Sequence, residues 1–296
     1  MKKLIVFLGI LALVLGTGGV AKVCAGTYGT DITIYDNAVD PSQTNTWWNR
    51  GTANNYTSED QETEYNKATG QGTLTGQGWD LEAYQQNGNI LSIIGGFDFA
   101  TGVVHEPGQS QYIEPLGALF LKTVSPPPYG DANIPGGTGT GTIVNSFWGY
   151  DYAITFDFTT NKYLIWTPTG SATLDQCHNA SGGTVGDVSN PWKLASGWQT
   201  DGVLHSFTYT TGLADFDGLQ GGSHNVISGI DLSFLVTDPD LGNPATWLHL
   251  TYGCGNDNLM GEIPEGSVPL PPAALLLGSG LVGLVGLGWG RKARAS

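Results

Sequence analysis

Positive charge is scarce in this chain: 11 Lys and Arg stand against 26 Asp and Glu in 296 residues. Six of the basic residues crowd the ends, Lys2, Lys3 and Lys22 near the start and Arg291, Lys292 and Arg294 near the finish. The body between them keeps five basic residues against all 26 acidic ones. Such a surface repels phosphate backbones and anionic membranes, which excludes nucleic acid as a partner. Charge of either sign is thin, at 12%, and no stretch of the body shows an amphipathic helical period. In their place stand 45 glycines, 15 prolines and many threonines, the materials of short strands and turns. The composition therefore predicts an all-β body, an antiparallel β-sandwich or jelly roll.

Catalytic signatures are also missing. No Gly-x-Ser-x-Gly elbow occurs, and Ser223, within Gly221-Gly-Ser-His-Asn225, lacks the flanking glycine pattern. Carboxylate pairs for glycoside hydrolysis meet in space rather than in sequence, so 26 acidic residues carry no information about one. The expectation is a protein that is not an enzyme and has no cofactor. Calcium is possible but lacks a motif: Glu59, Asp60, Glu62 and Glu64 cluster without the regular Asp-x-Asp-x-Asp-Gly spacing. Asp215, Asp217, Asp238 and Asp240 lie in turns, where a carboxylate ordinarily accepts backbone hydrogen bonds.

Strand signals run through the body. Residues 31–35 alternate polar with apolar, as a half-buried strand does. Residues 79–84 and 89–99 read as a hairpin turning at 86–88, with Trp79, Leu81 and Ile93 inward and Asp80 and Glu82 outward. A strand fits 116–122, followed by a long loop that contains the proline run at 126–128 and the glycine-threonine stretch 136–142. Residues 151–159 and 162–167 form a second hairpin, turning at Thr160 and Asn161. In it Tyr152, Ile154, Phe156 and Phe158 share one face at period two, a face for burial. Residues 203–210, 227–237 and 247–252 also read as strands, the last one closing the domain. Nine tryptophans and 12 tyrosines suit a core, and also suit stacking on sugar rings. Trp47, Trp48, Trp192 and Trp198 lie in loop-like sequence that suits stacking, and the Trp47-Trp48 pair is the candidate glycan platform.

The two ends carry addresses. Lys2 and Lys3 precede the apolar run 4–15, and small residues follow, so residues 1–25 read as a secretory signal helix cleaved between Ala25 and Gly26. With Cys24 removed, Cys177 and Cys254 remain, 77 positions apart. In an oxidising compartment they read as one disulfide, contributing about 4 kcal/mol in the chain-entropy model. A zinc pair involving the neighbouring His178 and His249 is the alternative.

At the other end, an apolar run of 17 uncharged residues, 273–289, precedes Arg291, Lys292 and Arg294. As a transmembrane helix it reaches roughly 25 Å, short against a hydrocarbon core of about 30 Å. Five glycines, including Gly278 and Gly283, weaken it. The basic tail belongs on the cytoplasmic side, with the body outside. Pro269, Pro271 and Pro272 keep the preceding segment extended and open to processing.

Val268, Pro269, Leu270, Pro271 and Pro272, then Ala274-Leu-Leu-Leu-Gly-Ser-Gly-Leu281 and the basic end, resemble a PEP-CTERM sorting signal, more closely its VPLPA variant. The common signal has Glu where Leu270 stands, and the variant has Ala where Pro272 stands. No Leu-Pro-x-Thr-Gly sortase signal occurs. Two body segments also resemble those of PEP-CTERM proteins. One is Trp79-Asp-Leu-Glu82 with Gly95-Gly-Phe-Asp98, and the other is His249-Leu-Thr251 with Cys254-Gly-Asn-Asp257.

The resemblance implies export, transient anchoring in the inner membrane of a Gram-negative bacterium, cleavage by an exosortase, and delivery to the cell surface or an extracellular polysaccharide matrix. The expected organisation is a signal peptide at 1–25, a β domain at 26–262, a spacer at 263–267 and the sorting signal at 268–296. The expected role is structural or adhesive, with exopolysaccharide binding as the alternative and a polysaccharide-active enzyme third.

Overall fold

The computed structural model describes residues 25–34, 63–64, 67–68, 80–104, 113–127, 141–177, 191–217, 219, 223–237, 243–253 and 258–268. In chain order the elements are β1 (Ala25–Gly26), β2 (Gly29–Asp31), β3 (Thr63–Glu64), β4 (Lys67–Ala68), β5 (Leu81–Asn87), β6 (Ile90–Gly95), β7 (Val103–Val104), β8 (Ile113–Glu114), β9 (Leu119–Thr123) and β10 (Thr142–Val144). Then follow α1 (Asn145–Trp148), β11 (Tyr152–Asp157), β12 (Lys162–Pro168), β13 (Thr173–Asp175), β14 (Lys193–Leu194), β15 (Trp198–Thr200), β16 (His205–Ser206), β17 (Thr208–Leu213), β18 (His224–Asp231), α2 (Phe234–Thr237), β19 (Thr246–Thr251) and β20 (Asn258–Ile263). The described chain is predominantly strand, and its strand pairings are antiparallel.

A six-stranded sheet runs β1-β2-β5-β6-β18-β17, and a second runs β15-β12-β11-β9-β19-β20 with β16 against β12. One apolar cluster holds side chains of both. Leu81, Tyr84, Ile93, Ile227 and Ile230 come from the first, and Leu119, Leu121, Ile154, Leu248, Leu250 and Leu259 from the second. Each such Leu or Ile removed from water contributes about 1.5–3 kcal/mol. Residues 32–34 stitch the two sheets together at one edge. The Ile32 amide donates to Tyr84 O at 3.0 Å, and the Ile34 amide donates to Met260 O at 2.9 Å. The outer face of the second sheet carries Phe120, Ala153 and Trp166, packed with Ile143, Trp148, Leu174 and Leu194 from α1 and the small β10-β13-β14 sheet.

Both expected hairpins form, with shifted ends. β5 and β6 pair from Asn87↔Ile90, so the turn is Gly88-Asn89, with Gly88 at φ +61°. The β11–β12 hairpin closes at Asp157↔Lys162, with Asn161 at φ +53°. Ile154 is sealed in the main core, with Tyr152, Phe156 and Phe158 packed half-buried against it.

Four expectations are corrected. The 203–210 strand starts at His205, leaving Val203 and Leu204 exposed. The 227–237 strand stops at Asp231, and residues 234–237 form the helical turn α2. The strand 247–252 does not close the domain, because β20 follows it and pairs along its whole length. Asp80 and Glu82 are not exposed: both are buried. The register slips between Leu81 and Ala83, which breaks simple alternation there, and Glu82 meets His224.

Among the described residues no helix is long and apolar enough to cross a membrane. The expected signal and transmembrane helices lie outside those residues, as do Cys24, Trp47, Trp48, Trp79, His178, Asp238, Asp240, Cys254, Pro269, Leu270, Pro271, Pro272, Arg291, Lys292 and Arg294.

Candidate functional site

The second sheet splits along its length. β11 pairs with β9 only through Tyr152↔Leu121, Ala153↔Phe120 and Ile154↔Leu119. Ahead of Leu119 the chain leaves β11 and joins Trp192, whose carbonyl accepts the Ala118 amide at 2.8 Å. Gly117 permits that detour. A Cβ there would lie 2.1 Å from Trp192 O and 2.5 Å from Thr251 O, closer than a side chain tolerates. Thr155, Phe156 and Asp157 continue β11 beyond its last β9 pair. A notch of about 370 Å³ opens at this divergence, lined by residues 115–118, Thr155, Phe156, Phe158 and 192–194. Thr155 and Phe156 are adjacent in a strand and so face opposite sides of the sheet; the notch therefore cuts through the sheet at its end.

Its chemistry is mixed. Phe156 and Phe158 offer half-buried rings, each held edge-to-face by Phe207 at 5.8 and 5.5 Å between centroids. The Lys193 ammonium sits 4.4 Å over the Trp192 ring and 3.4 Å from Asp175 Oδ2. This ion pair stays substantially exposed, which limits its contribution to stability and leaves its polar atoms within reach of a ligand. Thr155 Oγ1 accepts from Trp166 Nε1 at 2.8 Å, so its own hydroxyl proton can serve another acceptor.

A second constellation lies on the outer face of the first sheet. His224 Nδ1 is 2.8 Å from each carboxylate oxygen of Glu82, and both side chains are sealed from solvent. His224 Nε2 stands 3.4 Å from Asp215 Oδ1, on the loop after β17, and Phe216 packs edge-on against the imidazole at 5.5 Å. Two residues on, Asp217 accepts the Thr27 amide and, at 3.2 Å, the Thr27 hydroxyl, fixing the chain beside β1. Asp215 and Asp217 thus fasten a loop to distant strands rather than converging on a common point. Among the described residues no group of three His, Cys, Asp or Glu side chains is arranged to hold a metal ion.

His249 is enclosed as well. Its Nδ1 meets Tyr150 OH at 2.8 Å, and its ring stacks in parallel with Tyr150 and Trp148. Burial and this partner make His249 part of the packing between the second sheet and α1. Cys177 is fully buried, its Sγ 3.9 Å from the carbonyl of Tyr252, two residues before Cys254. At the start of the described chain, Ala25 and Gly26 form β1. At its end Val268 is sealed in the main core, and its carbonyl accepts Asn243 Nδ2 at 2.7 Å.

The notch was not among the sites expected from sequence. Trp192 was legible as a possible stacking platform, and the shared face of Phe156 and Phe158 was read as wholly buried; their convergence was not legible. No protein-family model, curated protein or solved structure compared with the chain matches it.

Proposed function

We propose that the chain is an exported structural or adhesive protein of the cell surface or extracellular matrix, built on a β-sandwich body and sorted by an exosortase-type system. The observation that carries this reading is the three-part sequence of the tail: the Val268–Pro272 motif, an uncharged apolar run, then Arg291, Lys292 and Arg294. The acidic body suits a solvated extracellular setting. The reading includes no catalytic step, cofactor or nucleic acid. Its partners are the processing enzyme, an extracellular polysaccharide and, transiently, the inner membrane.

The test is localisation of the intact chain beside a version lacking residues 269–296, in a host with and without an exosortase. The intact chain should reach the surface or medium only where the enzyme is present. Equal surface delivery of both versions would refute the sorting reading.

A second reading, carbohydrate binding, is favoured by the notch, whose aromatic rings and accessible ion pair suit a polyhydroxylated ligand. Trp47 and Trp48 remain its alternative platform.

A further inference from the structure

We infer that the notch between β9 and β11 is a subsite for a neutral hexopyranose, taking one or two sugar rings. This inference rests on the carbohydrate-binding reading above and names the place and the ligand.

Three features carry it. The first is size: about 370 Å³ lies near the small end of the range of roughly 300–1,000 Å³ for ligand pockets. That suits a short segment of a chain better than a long polymer in full embrace. The second is the pairing of surfaces. A pyranose ring presents a face of C–H groups encircled by hydroxyls, and so needs an aromatic face with polar groups around it. Phe156 and Phe158 supply half-buried rings, and Phe207 braces both from behind.

The third is electrical neutrality with donors and acceptors side by side. Lys193 has three N–H donors, and Asp175 has two acceptor oxygens, one of which also faces Thr142 Oγ1 at 3.3 Å. Each sugar hydroxyl both donates and accepts, so one such pair can serve neighbouring hydroxyls. A uronate would instead have to compete with Asp175 for Lys193 and would face Asp175 as a like charge. Thr155 Oγ1, already accepting from Trp166, is placed to donate.

An extended peptide added to β11 is the rival occupant, and the notch disfavours it. Only Thr155, Phe156 and Asp157 lie beyond the last β9 pair, and residues 192–194 close the space on the far side. Three residues of free edge give too little ladder to hold a strand.

The experiment uses the full chain in detergent micelles, with maltose, cellobiose and lactose as neutral probes and digalacturonate as the anionic one. Saturation-transfer NMR detects contact and calorimetry gives Kd. At least one neutral disaccharide should bind, and Lys193→Ala should weaken it about fivefold, the cost of one lost hydrogen bond. Phe158→Ala should weaken it further. Circular dichroism melts check that each variant is folded, and Lys193, half in solvent, guards against a result lost to misfolding.

Binding that survives both substitutions but vanishes in Trp47→Ala/Trp48→Ala would overturn the notch and leave the carbohydrate reading standing. Binding of digalacturonate alone would overturn the neutral assignment. No binding of any probe by the folded chain would overturn the subsite and count against the carbohydrate reading, leaving the sorting reading intact.

Discussion

Tyr209 donates its hydroxyl to Asp98 Oδ1 across 2.6 Å, tying edge strand β17 to the turn after β6. The same carboxylate accepts the Ala100 amide at 3.0 Å, and the Asp98 carbonyl accepts the Gly102 amide at 2.8 Å. Asp98 therefore organises its own turn while holding a neighbouring strand. Burial alone raises its pKa, but the hydrogen bonds from Tyr209, Ala100 and Thr101 outweigh burial and hold it below the ordinary carboxylate value. Burial, and then the hydrogen bond and charge of Asp98, push Tyr209 well above the ordinary phenol value.

These opposite shifts predict losses of stability at both ends of the pH scale. Asp98, depressed when folded, stabilises the fold above its unfolded pKa of about 3.9, and that contribution fades as pH falls through the lower folded value. Tyr209, raised when folded, stabilises the fold below its unfolded pKa of about 10, and that contribution fades as pH rises beyond it. Tyr209→Phe should lower stability by about 1 kcal/mol near neutrality, since the bond is partly solvated. It should also flatten the alkaline limb. Thermal melts from pH 3 to 11 measure both, and an unchanged alkaline limb would refute the Tyr209 assignment.

The Glu82–His224 pair predicts a sharper effect, because both side chains are sealed from solvent. Glu82→Ala leaves the buried Nδ1 of His224 without its carboxylate partner, at a cost of roughly 1–3 kcal/mol. Replacing both residues with Leu removes the polar demand along with the pair, and should recover much of that loss. A double-mutant cycle by urea denaturation gives the coupling; additive single effects would show that the two side chains do not act together.

How much of this was legible in the chain follows from the range of each interaction. The β5–β6 and β11–β12 hairpins were readable because alternating apolar residues flank turn residues such as Gly88 and Asn161. β20 was missed because Leu259 and Met260 are both buried, while Gly261 lies where a Cβ would come 2.6 Å from the Tyr84 ring. No alternation marks such a strand. The burial of Glu82 depends on a register slip and on a histidine 142 positions away. The notch depends on where β9 and β11 part, which no local pattern records. Phe156, Phe158 and Trp192, each legible alone, are the signals that pointed to it.

Gly117 tests that divergence. Its alpha carbon packs where a Cβ would strike two backbone carbonyls, neither of which can swing away as a flexible side chain would. Gly117→Ala should cost about 1–3 kcal/mol, the usual penalty of overpacking. The forced shift of residues 115–118 should also alter the notch, visible as chemical-shift changes at Trp192 and Phe156. A variant as stable as the parent, with those signals unmoved, would mean that the chain does not pass so close to Trp192.

Two cysteines and two new termini predict the mature chemistry. The Cys177 thiol lies 3.9 Å from the carbonyl of Tyr252, which follows β19 and stands two residues before Cys254 in sequence. Thiol labelling of the secreted protein should leave Cys177 unlabelled until reductant is added. Labelling of unfolded, unreduced protein at both positions would refute the bridge.

The same material fixes the ends. β1 is Ala25–Gly26, and Asp217 grips Thr27, so a mature chain that starts at Gly26 loses one residue of β1 and keeps the Asp217 anchor. At the other end, a cut before Val268 would strip the core of a sealed side chain and Asn243 of its acceptor. A cut beyond it removes only the proline-rich segment and the tail. Mass spectrometry of the secreted protein should therefore find a C-terminus that retains Val268 and lacks Arg291, Lys292 and Arg294. A C-terminus upstream of Val268 would show that the core can release that side chain. A basic tail on all of the secreted protein would refute processing altogether.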